Sequence, residues 1–543
     1  MHRNLFIPVL LFVGAAVFVS CGGADKHTIA VPKDVAFVFH INAPSLSSKL
    51  SWEEIKATSW FKDLHAEADD SVAQQLLDNP ESSGIDTKAD MAFFVKRHGK
   101  SGYMVFEGSL KDATAFENFN KKINKSASVT KDGDLSVIKD NDHILTWNSS
   151  RFVYMGTAAF IAAQNRFMDN SSQDNSGVDQ SGNFPADSLL KFSKELYTLD
   201  PDNSLFSDKR FANLIKETGD LHMWVSAEHA YAGGMDGALS MLKLGTLLEG
   251  NITTGSINFD NGKISMKSRS YYNDELGKVY EKYKMKNFDA AILNRIPSQN
   301  IVGLFSFNYP PEGLQEFLKV IGVDGMVNSF MGEVGYSMQE FVKANKGEVL
   351  LAVTDFEMQK HTMNMPGMEG QEGVPHTMSR PDFKVLFATS INDKAAFEKL
   401  VATVKGKMGE MPQGGGIPPI SYSMNDNWFA ASNSEEHVNK FLAGGNNNWP
   451  VVSKISGHPA IFYLDLQKCM KPFATDTTAT MGNMALTESL KMWEDIVGTG
   501  GEIVDGAIIG NFEVNMVDKS TNSLKQLNQY IDKLASSRKK VAF

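Results

Sequence analysis

The chain has 543 residues, of which 42% are hydrophobic and 35 are Phe, enough to bury substantial cores and to divide into two to four domains. Its formal net charge of −11 is dispersed over both halves. That argues against a nucleic-acid partner and against an added electrostatic hold on anionic lipid. With only two cysteines, Cys21 and Cys469, a disulfide framework is excluded.

The N-terminus carries Arg3 and then an apolar run over residues 5–19. That run is shorter than the roughly 20 residues needed to span a bilayer core, and it fits the apolar region of a secretory signal. Val19-Ser20-Cys21, followed by Gly22-Gly23, resembles a bacterial lipobox, with Phe18 standing where Leu is usual. The resemblance implies that the Cys21 thiol takes a diacylglyceryl group, that residues 1–20 are removed, and that the new amine is acylated. One acyl chain holds a membrane only reversibly, at about 0.8 kcal/mol per buried CH₂, so stable anchoring requires more than one chain. No Asp follows Cys21 directly, and Asp25 is the single acid close behind it. By analogy this favours the outer membrane, and its periplasmic face over the cell surface. Residues 21–30 make a short tether.

Beyond the tether the chain reads as two copies of one unit, over residues 31–285 and 286–543. Val31-Pro32-Lys33-Asp34 precedes an apolar run, Val35-Ala36-Phe37-Val38-Phe39-His40-Ile41-Asn42. Ile296-Pro297-Ser298-Gln299 likewise precedes Ile301-Val302-Gly303-Leu304-Phe305-Ser306-Phe307-Asn308. A second correspondence matches Phe106, Ser109, Asp112, Ala115, Phe116 and Glu117 to Phe387, Ser390, Asp393, Ala396, Phe397 and Glu398. In each copy a strand leaves through the serine, and Asp112 or Asp393 offers an N-cap oxygen to a helix. Phe116, Phe119 and Ile123, like Phe397, Leu400 and Val404, then form an apolar stripe. A third pairs Trp224 with Phe462. The fourth pairs Gly255 with Gly506, and Leu276, Val279 and Tyr283 on a closing helix with Leu524, Leu527 and Ile531. Asp260-Asn261-Gly262 is a strong hairpin signal. Two insertions separate the copies' spacing, a Ser/Asn/Asp-rich stretch over residues 170–188 and a Met/Gly-rich stretch over residues 359–381; both read as solvated loops. β-branched and aromatic strands with short turns predict an α+β fold of mostly antiparallel sheet, with helices packed on one face of each unit.

The lipobox, Val31-Pro32, Asn79-Pro80, Gly84-Ile85-Asp86 and the Ser-x-x-Asp-x-x-Ala-Phe step together resemble a family of uncharacterised lipoproteins of roughly this length. It is common in gut-type Gram-negative bacteria and known only as a domain of unknown function. The resemblance extends over nearly the whole chain beyond the signal. Its motifs are structural, so it implies no catalytic residue.

The richest candidate for chemistry is the Met-rich stretch, where His361, Met363, Met365, Met368, His376 and Met378 lie close together. Soft thioethers at that spacing resemble Cu(I)-binding loops, and the plainer reading is a flexible insertion in a chain with 26 methionines. Cys469 follows an apolar run and reads as a packed thiol. His65, Glu67, Asp69 and Asp70 read as a solvated helix face. The acids of residues 169–187 lack the ligand spacing and closing Glu of a calcium loop. Gly498-Thr499-Gly500-Gly501 reads as a turn without the Lys of a phosphate-binding loop, and Arg538-Lys539-Lys540 as a frayed helix tail. Cys21, as lipidation site, is therefore the one site residue assigned. No catalytic, cofactor-binding or metal-binding residue is assigned, and no cofactor is expected. The expected function is a membrane-anchored cell-envelope lipoprotein acting as a non-enzymatic binding or scaffolding module. Its expected partners are membrane lipid through the Cys21 acyl anchor and an envelope protein or glycan, with no nucleic acid. An envelope- or glycan-directed hydrolase and a Cu(I)-handling protein are the alternatives.

Overall fold

The computed structural model describes residues 29–68, 71–98, 101–123, 128–140, 142–158, 184–231, 245, 247–365, 374–408, 420–445, 447–474 and 483–541. The fold is mixed α/β on antiparallel sheet. The chain divides into two compact units. The first comprises Met1–Asn261, Met266–Tyr271 and Thr521–Phe543; the second comprises Gly262–Ser265 and Tyr272–Ser520.

In the first unit the strands are β1 (Phe37–Ile41), β2 (Met91–His98), β3 (Ser101–Ser109), β4 (Val129–Asp132), β5 (Leu135–Lys139), β6 (His143–Trp147), β7 (Arg151–Thr157), β8 (Leu221–Ser226) and β9 (Ile252–Asp260); β10 (Lys263–Tyr271) follows, its residues divided between the two units. Their pairing runs β4-β5-β6-β7-β3-β2-β1-β8-β9, antiparallel throughout. Alternation along the strands sends Val38, Phe94, Val105, Val153 and Trp224 to one face, where they pack with Leu189 and Leu196 of the Ala186–Tyr197 helix. Local signals set the helix starts. Asn42 caps Ala43–Lys49 by accepting from the Ser45 amide. Ser51 and Glu54 form a reciprocal capping box on Trp52–Lys56. As expected from sequence, the Asp112 carboxylate accepts from the amides of Thr114 and Ala115.

In the second unit β11 (Ile301–Asn308), β12 (Asn345–Met365), β13 (Val374–Ile391), β14 (Ser421–Met424), β15 (Trp428–Ser432), β16 (Ala460–Asp465), β17 (Trp493–Val504) and β18 (Ala507–Met516) are paired β14-β15-β13-β12-β11-β16-β17-β18. Leu304, Leu350, Ala352, Leu386, Ala388, Ile461, Tyr463 and Val497 line one face and pack on Val438 and Phe441 of the Glu435–Ala443 helix. Asp393 caps the Lys394–Met408 helix through the Ala396 amide.

Several local expectations change. Residues 359–381 are largely strand: β12 and β13 stay in register out to Met365 opposite Val374. The alternation Lys360-His361-Thr362-Met363-Asn364 has the period of a strand, and Pro375 and Pro381 sit where no third strand needs their missing N–H. Gly498-Thr499-Gly500-Gly501 is likewise strand, inside β17, with a register shift between Gly500 and Ile503. Gly255 lies mid-strand in β9, whereas Gly506 occupies the β17–β18 turn beside Asp505, both at positive φ. The closing helices also fall differently from a cut at residue 285. The Asp274–Lys282 helix belongs to the second unit, and Ser523–Val541 belongs to the first. There the Asp532 carboxylate accepts from the amides of Ser59 and Trp60, and Lys525 pairs with Glu54 at 2.6 Å.

Candidate functional site

The feature that departs most from an ordinary protein surface is one face of the second unit's sheet. Starting from β14, the residues standing directly opposite one another are Tyr422, Ala431, Phe387, Leu351, Phe305, Phe462, Gly498 and Phe512. This single row crosses all eight strands, and its six large side chains are each 36–44% exposed. The row beside it is also apolar: Val385, Val353, Gly303, Leu464, Ile496 and Val514, all half-buried. Gly498 is the one gap in the row's side chains, and Phe462 and Phe512 close over it. A Cβ placed there would lie 3.3 Å from Phe462 and 3.5 Å from Phe512. In the first unit the comparable row, Tyr154, Phe106, Phe93, Phe39 and Met223, is half-buried or buried. There Phe93, Phe106 and Tyr154 pack in one cluster with Leu46, Phe116, Trp147 and Phe152. The second unit exposes a further apolar pair, Met326 and Phe330, on the Asp324–Glu333 helix. Isolated exposed hydrophobics are normal; a contiguous exposed apolar face marks an interaction surface.

The residues singled out by sequence are placed as follows. Cys21 and the apolar run before it lie outside the described residues. Cys469 is a half-buried free thiol on the Leu466–Ala474 helix. Burial, and then the charge of Asp465, push its pKa up, the opposite of an activated nucleophile. His65 pairs with Asp78 at 3.1 Å on a partly exposed helix flank, while Asp69 and Asp70 lie outside the described residues. Of the acids in residues 169–187 only Asp187 is described, exposed and 2.7 Å from Lys139. Residues 538–540 continue the closing helix. Among the described residues no group of three or more His, Cys, Asp or Glu is placed to hold a metal ion, and no helix is long and apolar enough to cross a membrane.

Sequence reasoning missed two buried polar clusters in the first unit. In one, His40 on β1 stands opposite His222 on β8, with their Nδ1 atoms 3.1 Å apart. His40 Nε2 lies 3.2 Å from Asp90, and His222 Nε2 lies 3.2 Å from the Glu217 carbonyl. All three contacts are met together when three ring protons are shared between the two imidazoles. Burial first, and then repulsion from His40, hold the His222 pKa below its ordinary value. Beside this pair the fully buried Asp220 accepts from Lys49 Nζ, Ser45 Oγ and the Phe259 amide, each at 2.6 Å, which ties the first helix to β8 and β9. In the other cluster the fully buried Glu107 accepts from the Ala30 amide at 2.7 Å and lies 3.8 Å from Arg151, whose guanidinium sits over the Tyr197 ring at 4.4 Å. The signal available in sequence was two histidines inside apolar strand runs, and an acid, Glu107, in the middle of another.

No curated protein matches this chain. Among solved structures, crystal form IV of TP0453 shares 10% identity over 47% of this chain and 85% of its own, with a TM-score of 0.24. Crystal form I of TP0453 gives 7%, 46%, 81% and 0.23 in the same measures. Scores of that size carry no argument about fold or function. A family model does match, over residues 27–366. The chain belongs to the family described as Domain of unknown function (DUF4836).

Proposed function

We propose that this protein is a lipid-anchored lipoprotein of the cell envelope, held at the periplasmic face of the outer membrane through Cys21. In this reading it serves as a non-enzymatic binding module whose docking surface is the aromatic face of the second unit. The observation that carries the binding role is the row from Tyr422 to Phe512, exposed on every large side chain across eight strands. Two carboxylates of the second unit, Asp495 on β17 and Asp465 on β16, are engaged with neighbouring side chains. Asp495 accepts from Asn515 at 2.7 Å, and Asp465 lies 3.4 Å from both Lys468 and the Tyr463 hydroxyl.

The two units are, in this reading, copies of one ancestral module. What supports this is strand order. The pairing β7-β3-β2-β1-β8-β9 in the first unit has the same succession of hairpins and crossovers as β15-β13-β12-β11-β16-β17 in the second. The first unit adds the β4–β5 hairpin.

The test is site-specific photo-crosslinking of the anchored protein in native membranes, with the crosslinker at position 387 and, as a control, at Lys131 on β4. The expected result is a discrete adduct from 387 alone that disappears with Phe305→Ser and Phe462→Ser. Equal adducts from both sites, none from 387, or a 387 adduct that survives both serine changes overturns the binding reading. Cys21→Ser should release the chain from the membrane fraction, and unchanged fractionation overturns the anchor.

A further inference from the structure

His40 and His222 stand two residues along from Val38 and Trp224, on the core face of the first unit's sheet, and are 4% and 1% exposed. Every ring nitrogen of the pair has a partner. The two Nδ1 atoms face each other at 3.1 Å. His40 Nε2 meets the Asp90 carboxylate, and His222 Nε2 meets the Glu217 carbonyl, each at 3.2 Å. An ionised carboxylate and a carbonyl only accept, so both Nε2 atoms carry a proton. The third contact, between the Nδ1 atoms, then needs a single proton shared between them. With one proton fewer, two lone pairs confront each other there, or one Nε2 turns a lone pair on an acceptor. With one proton more, two N–H groups on two cationic rings confront each other at 3.1 Å. A metal ion in the proton's place lacks further ligands: among the described residues no group of three or more His, Cys, Asp or Glu is placed to hold one.

The charged groups around the pair are accounted for. Its neighbours on the flanking strands are Ala92 on β2 and Ser256 on β9. Beyond Ala92 in the same row, Glu107 on β3 is engaged with the Ala30 amide and Arg151. Asp90, half-exposed before β2, meets His40 directly. The Glu217 carboxylate pairs with Arg269 on β10 at 2.5 Å, and Asp220 pairs with Lys49 at 2.6 Å. Burial, and then the charge of His40, oppose a further proton on His222.

The pair is also connected to a turn. Residues 217–220 lead into β8, and all four of their carbonyls are taken. His222 Nε2 donates to Glu217, Asn258 Nδ2 to Thr218, Asn42 Nδ2 to Gly219 and the Asn42 amide to Asp220. Gly219 lies against the ring, since a Cβ there would sit 2.5 Å from His222 Nε2. Asn42 in turn caps the Ala43–Lys49 helix. A displacement of the His222 ring is therefore passed to the turn, and from the turn to the cap.

We propose that the His40–His222 pair is a proton-gated lock on the turn over residues 217–220. In the closed fold the pair holds one shared proton between its Nδ1 atoms. A second proton drives the rings apart and frees the turn and the Asn42 cap. The closed form has room for three ring protons and the open form for four, so acid favours opening. The lock lies in the first unit and is independent of the aromatic row.

The experiment uses the full-length protein in detergent. Nitrogen NMR of histidine-labelled chain at pH 7 should show one pair with both Nε2 protonated and one proton divided between the two Nδ1. Hydrogen exchange between pH 7.5 and 5, corrected for the intrinsic pH dependence of exchange, should show protection over residues 217–222 falling below about pH 6.5, by up to roughly tenfold per pH unit for one added proton. Strand β3 should stay protected over the same exchange times. In His40→Gln a neutral amide faces His222, and the acid loss of protection should flatten. An unprotonated Nε2 at pH 7, protection of the turn that does not change with acid, loss of protection in β3 in step with the turn, or an unaltered acid response in His40→Gln each overturns the proposal. The two measurements on wild-type protein decide the matter even if the variant folds poorly.

Discussion

Glu107→Gln is the perturbation whose outcome the structure fixes most tightly. Glu107 is fully buried on β3, and burial pushes its pKa up from 4.5 to about 7, outweighing the opposing pull of Arg151 and of the Ala30 amide. In the unfolded chain the same carboxyl titrates near its ordinary value. Between about pH 4.5 and 7 the folded state therefore holds a proton that the unfolded state has released. Stability must fall as pH rises through that window, because the slope follows the difference in bound protons. A shift of about 2.5 units corresponds to about 3 kcal/mol, at 1.36 kcal/mol per unit. The group has no solvent exposure, so no screening discount applies. Gln is neutral throughout and can still accept from the Ala30 amide. The attraction of Arg151 for the ionised carboxyl is already contained in that shifted pKa, so losing it adds no further slope.

The assay is urea unfolding of wild-type protein and Glu107→Gln at intervals from pH 4.5 to 8. The variant should gain about 3 kcal/mol relative to wild type across the window, most of it by pH 7.5. Curves that stay parallel refute the reasoning, because they would mean that Glu107 is ionised in the fold throughout. The result also bears on the anchor. Ile29 and Val31 are buried on either side of Ala30, so in the proposed anchored form this carboxyl would hold the point from which the chain runs back to Cys21.

Two further perturbations test the fold around the same unit. Gly84 has φ +80, and a Cβ there would lie 2.2 Å from the Asp112 carbonyl oxygen and 2.6 Å from the Phe116 amide nitrogen. Gly84→Ala should therefore cost more than the roughly 1–3 kcal/mol of backbone strain alone, whereas Gly133→Ala, at φ +61 in open space, should cost no more than that strain; equal urea midpoints for the two would count against the packing described. His222 has its pKa lowered in the fold, so the unfolded chain binds the extra proton first and stability should drop as pH falls below about 6.5. His222→Gln should flatten that fall between pH 6.5 and 5 in thermal unfolding, and an unchanged profile would exclude the pair as its source.

How far the sequence could be read depended on whether a signal was local. N-caps are local: Asp112 and Asp393 each bond the amides that their spacing predicted. Turn signals are local too, as the positive φ of Gly262 in Asp260-Asn261-Gly262 shows. The outer pairing of β12 with β13 was missed because a Met/Gly-rich composition resembles a loop until the alternation from Lys360 to Asn364 is weighed against it. The His40–His222 pair and the Ala30–Glu107 bond join residues far apart in sequence, and no single window contains them. The closing helices followed the sequence in type and order. Which unit each packs in depended on tertiary partners such as Asp532 with Ser59.

The exposed aromatic row escaped for a sharper reason, which the proposed duplication makes visible. Aligning Trp224 with Phe462 looks natural, aromatic on aromatic. Yet Trp224 is buried and stands opposite Val38, while Phe462 is exposed and stands opposite Phe305. The structural counterpart of Trp224 is Tyr463, which is buried and stands opposite Leu304. In a strand, a slip of one residue exchanges the two faces. The Trp224–Phe462 alignment therefore placed Phe462 in the core and hid the one position that joins Phe305 to Gly498 and Phe512. With the slip corrected, the second unit's exposed row corresponds to the half-buried row through Phe39, Phe93 and Phe106 in the first. In that proposed reading the two sheets differ chiefly in what lies over that face. In the first, Leu46 and Phe116 of neighbouring helices cover part of it. In the second, Phe305, Leu351, Phe387 and Phe462 keep the large apolar side chains without that cover, at a standing cost in solubility. Retaining them is intelligible if a ligand completes the layer that helices complete in the first unit.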